Sequence, residues 1–128
     1  MPERKAFQYT VLRVVPDVER GERINVGVVL YSPERKFLGA RVHLDRERLE
    51  AIAPDADYDA LERHLRSLVA VAEGAPDGGP IAQLPQSERF GAVSAPSSTI
   101  VQPSEVHTGV CEDGSDELDN RFRRLVLR

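Results

Sequence analysis

The chain has 128 residues, of which 41% are hydrophobic and 30% are charged. These fractions are typical of an ordinary globular protein. A chain of this length can bury one modest core but not two. We therefore expect a single domain over residues 1–128.

The sequence predicts neither a signal peptide nor a transmembrane helix. Its apolar runs are only a few residues long, and the charged start is followed by no apolar segment. The one cysteine, Cys111, cannot form an internal disulfide, which agrees with a reducing compartment. We therefore expect a cytoplasmic protein without a membrane partner.

The formal net charge of −4 is unevenly distributed. Residues 1–66 hold equal numbers of acidic and basic side chains, so the acidic excess lies in residues 67–128. A nucleic-acid-binding protein is expected to carry a basic stripe that neutralises phosphates. The charge distribution therefore argues against a nucleic-acid partner.

Three segments in the N-terminal third are rich in β-branched and aromatic residues and predict strands, at residues 7–15, 24–31 and 37–44. In the second segment, strict alternation would place one apolar set on a single face: Ile24, Val26, Val28 and Leu30. Residues 32–35, which include a proline, predict a tight turn between the second and third segments. The three strands therefore predict an antiparallel meander.

Three later segments predict helices. Asp45 can cap a short helix that ends at Ile52 before a proline, and Asp55 or Asp57 can cap a longer helix over residues 58–73. The longer helix has an apolar stripe: Tyr58, Leu61, Leu65, Leu68, Val69 and Ala72. Ser115 can cap a final helix that turns its apolar residues inward: Leu118, Phe122, Leu125 and Val126.

Between the helices, residues 74–88 are rich in glycine and proline and predict a loop internal to the domain. Residues 98–102 predict a fourth strand. The expected fold is therefore α+β, with an antiparallel β-meander of three strands plus a fourth, covered on one face by two or three helices.

The first candidate site is the predicted loop at residues 97–109, which brings together hydroxyl groups, His107 and Gly109. Such groups can bind an anion or orient a proton donor, because histidine titrates near neutrality and hydroxyls donate hydrogen bonds without adding charge. The alternative is that His107 and Thr108 only satisfy backbone groups in a turn.

His107 and Cys111 are four residues apart, a spacing that permits either a partial metal site or a thiolate with a base. A zinc site normally needs three or four protein ligands, and a cysteine nucleophile needs a base with an orienting group. The sequence gives neither set. We therefore expect no metal and no cofactor.

The second candidate site is the charged connection between the first two strands. Arg13, Glu22 and Asn25 surround it, and Gly27 allows backbone or ligand to approach closely. The alternative is a solvated loop that supports a turn.

Two blocks of the sequence resemble a known bacterial family. YTVLRVVPDVERGERINVGVVLY at residues 9–31 and SAPSSTIVQPSEVHTGV at residues 94–110 resemble the domain of unknown function DUF3037. The resemblance implies no established activity, and it implies a gene that is often encoded beside a HipA-like kinase. It points to these positions: Arg13, Glu22, Asn25, Gly27, Ser98, His107, Thr108 and Gly109.

Three functional hypotheses follow. Because the sequence contains no complete catalytic constellation, we expect a non-catalytic accessory module that binds a protein partner, such as a HipA-like kinase, through a sheet edge or residues 95–110. The second hypothesis is a small hydrolase or phosphate-handling enzyme, which requires His107 to converge with Glu22, Asn25 and Arg13. The third is a structural homodimer paired through edge strands.

Overall fold

A computed structural model describes residues 3–96 and 99–128. Its elements are β1 (Lys5–Val14), β2 (Ile24–Ser32), β3 (Phe37–Val42), α1 (Arg46–Ile52), α2 (Tyr58–Glu73), α3 (Gln86–Ser94), β4 (Val101–Pro103), β5 (His107–Cys111) and α4 (Gly114–Leu125). A short 3-10 helix at Ile81–Gln83 lies between α2 and α3. None of these helices is long and apolar enough to cross a membrane, within the residues described.

The strands form one antiparallel sheet in which β3, β2 and β1 are consecutive neighbours. Both β4 and β5 pair with the other side of β1, β4 along Leu12–Val14 and β5 along Lys5–Tyr9. The predicted α+β fold with an antiparallel meander is therefore confirmed.

Ser104 marks the interruption between β4 and β5. Its backbone N–H donates to the carbonyl of Val11 over 2.8 Å, and its Oγ accepts the N–H of Val11 over 2.9 Å. The hydroxyl of Thr10 donates to the carbonyl of Ser104 over 2.7 Å. These bonds satisfy buried backbone groups where the ladder is broken, so β4 and β5 act as one interrupted edge strand.

Helices cover both faces of the sheet, and not one face as expected from the sequence. On one face, α2 and α3 contribute Leu61, Leu65, Phe90 and Val93 to a hydrophobic core that includes Leu12 of β1. On the opposite face, α4 packs its apolar side on the sheet. The buried members of this second core are Phe7, Val28, Leu30, Cys111, Leu118 and Val126. The inward face predicted for the final helix is confirmed.

A bulge in β2 makes the predicted strict alternation wrong. Leu12 is opposite Gly27 and Arg13 is opposite Asn25, so Val26 is an extra residue in β2. As a result Val26 packs in the core beneath α2, whereas Val28 packs in the core beneath α4. The extra residue could not be predicted from the sequence, because both faces of the strand are apolar.

The helix caps follow the sequence in two of three cases. The carboxylates of Asp45 and Asp57 cap α1 and α2 as expected, by accepting the N–H groups of Arg48 and Ala60. The final helix begins two residues earlier than expected, because Asp113 and not Ser115 supplies the cap.

Two predicted loops contain regular structure. The segment predicted as a loop at residues 74–88 includes the 3-10 helix and the start of α3, and no helix was predicted at Gln86–Ser94. The loop predicted at residues 97–109 ends inside β5, since residues 107–109 pair with β1. The fourth strand lies at Val101–Pro103, slightly later than expected.

Candidate functional site

Two groups of polar side chains lie on the face of β1 that α4 covers only in part. Tyr9 belongs to one group and Arg13 to the other. The two residues are four positions apart on one strand, which corresponds to about 13 Å. The two groups therefore need separate descriptions.

Asn25 belongs to the same group as Arg13 and connects β1, β2 and α4. Its Oδ1 accepts a hydrogen bond from Arg13 Nε over 3.3 Å, and its Nδ2 donates to the carbonyl of Leu125 over 3.0 Å. The contact with Leu125 fixes which end of the amide faces Arg13. Asn25 thus positions the half-buried guanidinium of Arg13 and satisfies a carbonyl in the last turn of α4.

A polar cavity of about 480 Å³ opens beside this pair. Its lining consists of Arg13, Arg23, Ile24, Asn25, Arg48, Leu125 and Arg128. Burial lowers the pKa of Arg13, and the like charge of Arg23 lowers it further, while Glu105 acts in the opposite direction. The cavity is therefore a concentration of positive charge in a chain whose net charge is negative.

The group that contains Tyr9 is a stack of three side chains. The rings of Tyr9 and His107 lie 5.2 Å apart between centroids, and the guanidinium of Arg121 lies 4.8 Å from the centroid of Tyr9. Arg121 also donates to the Tyr9 hydroxyl over 3.3 Å and pairs with Glu117 over 2.8 Å. His107 is exposed, so this stack presents an imidazole at the edge of the sheet.

The structure brings Arg13 and Asn25 together but not His107. His107 is opposite Tyr9 on one side of β1, and Asn25 is opposite Arg13 on the other side. Four residues along the strand and two interstrand steps place the Cα atoms of His107 and Asn25 about 16 Å apart. This exceeds the reach of a hydrogen bond or a single bridging water. The hydrolase hypothesis requires His107 to lie beside Asn25, and this expectation is therefore wrong.

The other predicted site residues have local roles or lie outside this region. Glu22 pairs with Arg20 over 2.6 Å, and Thr108 is an exposed residue of β5 opposite Gln8. Ser98 lies outside the described residues.

Gly27 and Gly109, also predicted site residues, both lie against neighbouring side chains in the sheet. A Cβ at Gly27 would lie 2.9 Å from Val42 Cγ1, and a Cβ at Gly109 would meet the ring of Phe7. Both glycines therefore serve close packing.

Sequence reasoning missed Tyr9 and Arg121. The alternation of Phe7, Tyr9, Val11 and Arg13 gave a signal for Tyr9, since it places these residues on one face of a strand. For Arg121 the sequence held no comparable signal. The final helix has acidic residues in its first turn and basic residues toward its end, an order that the helix dipole already explains.

The outer side of β5 is one edge of the sheet, and β3 lies at the opposite edge. Within the residues described, β5 pairs with β1 alone. Two exposed valines lie at this edge: Val110 in β5 is 55% exposed, and Val106, just before β5, is 41% exposed. The edge thus combines unpaired backbone groups with apolar side chains.

Cys111 is not placed for nucleophilic chemistry. It is buried, and burial raises the pKa of its thiol, with the carboxylate of Glu117 acting in the same direction. Across residues 3–96 and 99–128, no three histidine, cysteine, aspartate or glutamate side chains are grouped so that they could hold a metal ion.

Comparison with known proteins agrees with the resemblance carried by the two sequence blocks. A family model described as protein of unknown function (DUF3037) matches residues 9–126. Neither the search of curated proteins nor the search of solved structures gives a match. The family model spans nearly the whole chain, including all five strands in part or in full and the complete α4. The chain therefore belongs to the DUF3037 family.

Proposed function

We propose that this protein is a non-catalytic accessory module that binds a protein partner by adding a strand of that partner to the outer edge of β5. The supporting observation is the edge itself. β5 is held on one side by β1, and Val110 and Val106 are exposed beside it. In this mode of recognition, main-chain hydrogen bonds supply affinity and alternate side chains supply specificity.

The composition of β5 favours strand addition. Edge strands are commonly protected from pairing by lysine, proline, inward charges or a bulge. The five residues of β5, HTGVC, include no lysine, no proline and no carboxylate. Glu105 and Glu112 flank the strand and can select a partner segment with basic residues near its ends.

The partner we propose is a HipA-like kinase, which is the neighbour that the family resemblance implies. The two proteins would be expressed separately and titrated by calorimetry, and we expect binding at micromolar concentration or tighter. Val110→Lys should weaken binding at least about tenfold, because it places a charge and a long side chain beside the edge. If the two proteins do not associate at micromolar concentration, the kinase is not the partner.

Val18→Lys is the matched control. Val18 is the most exposed of the large hydrophobic residues described, at 72%, and lies in the connection between β1 and β2. The substitution adds the same charge as Val110→Lys but leaves the β5 edge unchanged. Equal loss of kinase binding in the two variants would show that charge, and not the edge, controls the interaction.

A second candidate, a homodimer paired through edge strands, rests on the same exposed edge. In this case light scattering after size exclusion should give twice the chain mass, and Val110→Lys should shift the protein to monomer. A stable homodimer should bury roughly 1,000 Å² or more in total. A monomeric wild-type protein at high micromolar concentration would exclude the homodimer and leave the edge available for the kinase.

A further inference from the structure

The cavity beside Asn25 contains more positive charge than the surrounding structure compensates. Four arginines line it, from β1, the segment before β2, α1 and the segment after α4: Arg13, Arg23, Arg48 and Arg128. Glu105 influences Arg13 electrostatically but forms no ion pair with it. An excess of guanidinium groups around one cavity is the usual basis of anion recognition.

Part of this arginine cluster has a structural role. Arg48 donates to the carbonyls of Val126 and Arg128 over 3.3 and 2.9 Å and lies 3.8 Å from a carboxylate oxygen of Asp45. Together with Asn25, which binds the carbonyl of Leu125, it satisfies carbonyls at the C-terminal end of α4. Arg48 and Asn25 therefore offset the partial negative charge of this helix end.

Arg13 and Arg23 have no such role. In the described part of the chain, Arg13 forms one side-chain hydrogen bond, through Nε to Asn25, and neither arginine pairs with a carboxylate. The two side chains line the same cavity and repel each other electrostatically. A bound dianion would remove this repulsion, whereas a single carboxylate would compensate only half of the charge.

We propose that this cavity binds a phosphate group between the guanidinium groups of Arg13 and Arg23, with Asn25 as the residue that positions Arg13. Guanidinium groups match phosphate oxygens in a bidentate manner. The cavity of about 480 Å³ leaves room for the rest of a small phosphate ester. The site lies apart from the outer edge of β5, so this proposal does not depend on the proposed function.

The test is calorimetric titration of inorganic phosphate and of O-phosphoserine at low ionic strength. Wild-type protein should bind both, and Arg13→Gln and Arg23→Gln should each weaken binding about tenfold, the effect of one charge-assisted hydrogen bond. Arg63→Gln is the matched control, because Arg63 is an exposed arginine on α2 that forms no ion pair within the described residues. It should leave the affinity unchanged.

A location readout separates this site from general charge attraction. The side-chain amide resonance of Asn25 should shift on phosphate addition in wild-type protein and in Arg63→Gln, whereas Arg23→Gln should need about tenfold more phosphate for the same shift. Arg23 is exposed, so Arg23→Gln decides the question even if Arg13→Gln fails to fold. Equal affinities in wild-type protein and in Arg23→Gln would overturn the proposal.

The source of the phosphate is decided by a further comparison. A phosphoserine peptide that binds at least about tenfold more tightly than inorganic phosphate and than its unphosphorylated form would identify a phosphorylated protein as the ligand. Similar affinities for the peptide and inorganic phosphate would identify a small free phosphate compound, and both results support the site. Binding of a DNA oligonucleotide without binding of phosphate or phosphoserine would overturn it.

Discussion

Gly109 in β5 lies directly against the ring of Phe7 in β1: a Cβ atom at Gly109 would lie 2.7 Å from Phe7 Cζ and 2.8 Å from Cε1. Phe7 is 1% exposed and belongs to the core beneath α4, so its ring cannot move aside freely. We expect Gly109→Ala to destabilise the protein by about 1–3 kcal/mol through overpacking. Equilibrium unfolding in urea would measure this loss.

Gly91→Ala provides the control for this prediction. Gly91 lies within α3, and a Cβ at this position would meet no atom within 4 Å. Alanine is a better helix former than glycine, so Gly91→Ala should stabilise the protein by about 0.5–1 kcal/mol. If Gly109→Ala were as stable as Gly91→Ala, the contact with Phe7 would not be constraining.

The second prediction concerns Ser104, whose hydroxyl accepts the N–H of Val11 where the outer strand is interrupted. Val11 and Ser104 are both buried, so water cannot replace the lost partner without structural change. Ser104→Ala should therefore lower the free energy of unfolding by about 1–3 kcal/mol. Urea denaturation followed by circular dichroism would give the value.

Ser67→Ala tests whether any serine hydroxyl would give the same loss. Ser67 donates to the carbonyl of His64 on the exposed side of α2. Its removal should change stability by less than about 0.5 kcal/mol. Similar effects at Ser104 and Ser67 would contradict the special role of Ser104 at the strand interruption.

The third prediction separates two candidate caps of α4. The carboxylate of Asp113 accepts the N–H of Asp116 over 3.0 Å, whereas Ser115 is an exposed residue inside the helix. Asp113→Ala should cost about 0.5–2 kcal/mol, and Ser115→Ala should change stability by less than about 0.5 kcal/mol. Thermal and urea unfolding of both variants would rank them.

Asp113→Asn shows whether the cap or the negative charge is responsible. Asparagine caps helices about as well as aspartate but does not carry the charge that the helix dipole favours. Asp113→Asn should therefore be destabilised much less than Asp113→Ala. If Ser115→Ala were the more damaging variant, the helix would begin at the position expected from the sequence.

Helix α2 shows what the sequence can predict. Its cap at Asp57, its apolar positions Leu61 and Leu65 and the following Gly74 are all local signals, and the helix has the predicted bounds. Gly74 has a φ of 68°, the left-handed conformation that ends a helix at little cost for glycine. Signals within a few residues of each other therefore suffice for this element.

Elements defined by distant contacts could not be predicted in the same way. β5 contains Gly109 and exposed polar residues, and it becomes a strand because it pairs with β1 about a hundred residues earlier. α3 begins after Pro85 without a side-chain cap and buries only Phe90 and Val93 along its length. Tertiary packing, not local propensity, determines both elements.

The candidate site follows the same division. Arg13 and Asn25 could be singled out, because they flank one hairpin connection. The hydrogen bond from Asn25 to Leu125 spans 100 residues, so the sequence gives no sign of it. The expected contact with His107 failed because register along β1, which sequence patterns do not determine across distant strands, separates the two residues.

The last prediction uses the buried thiol of Cys111. Burial raises its pKa, and the charge of Glu117 adds to the effect, whereas Arg35 opposes it. The same thiol ionises near its ordinary pKa of about 8.5 in the unfolded chain. The folded state therefore keeps its full stability below that pKa and loses part of it as the pH rises toward the folded pKa.

The wild-type free energy of unfolding should therefore fall above about pH 8.5 more steeply than that of Cys111→Ala, which lacks the thiol. The difference between the two proteins removes the contribution of other groups that titrate in this range. Alkylation of Cys111 by iodoacetamide at pH 8 should be at least about tenfold slower in the native protein than in urea, because only the exposed thiolate reacts. Equal pH slopes in the two proteins, together with fast native alkylation, would mean that Cys111 is accessible and ionises normally.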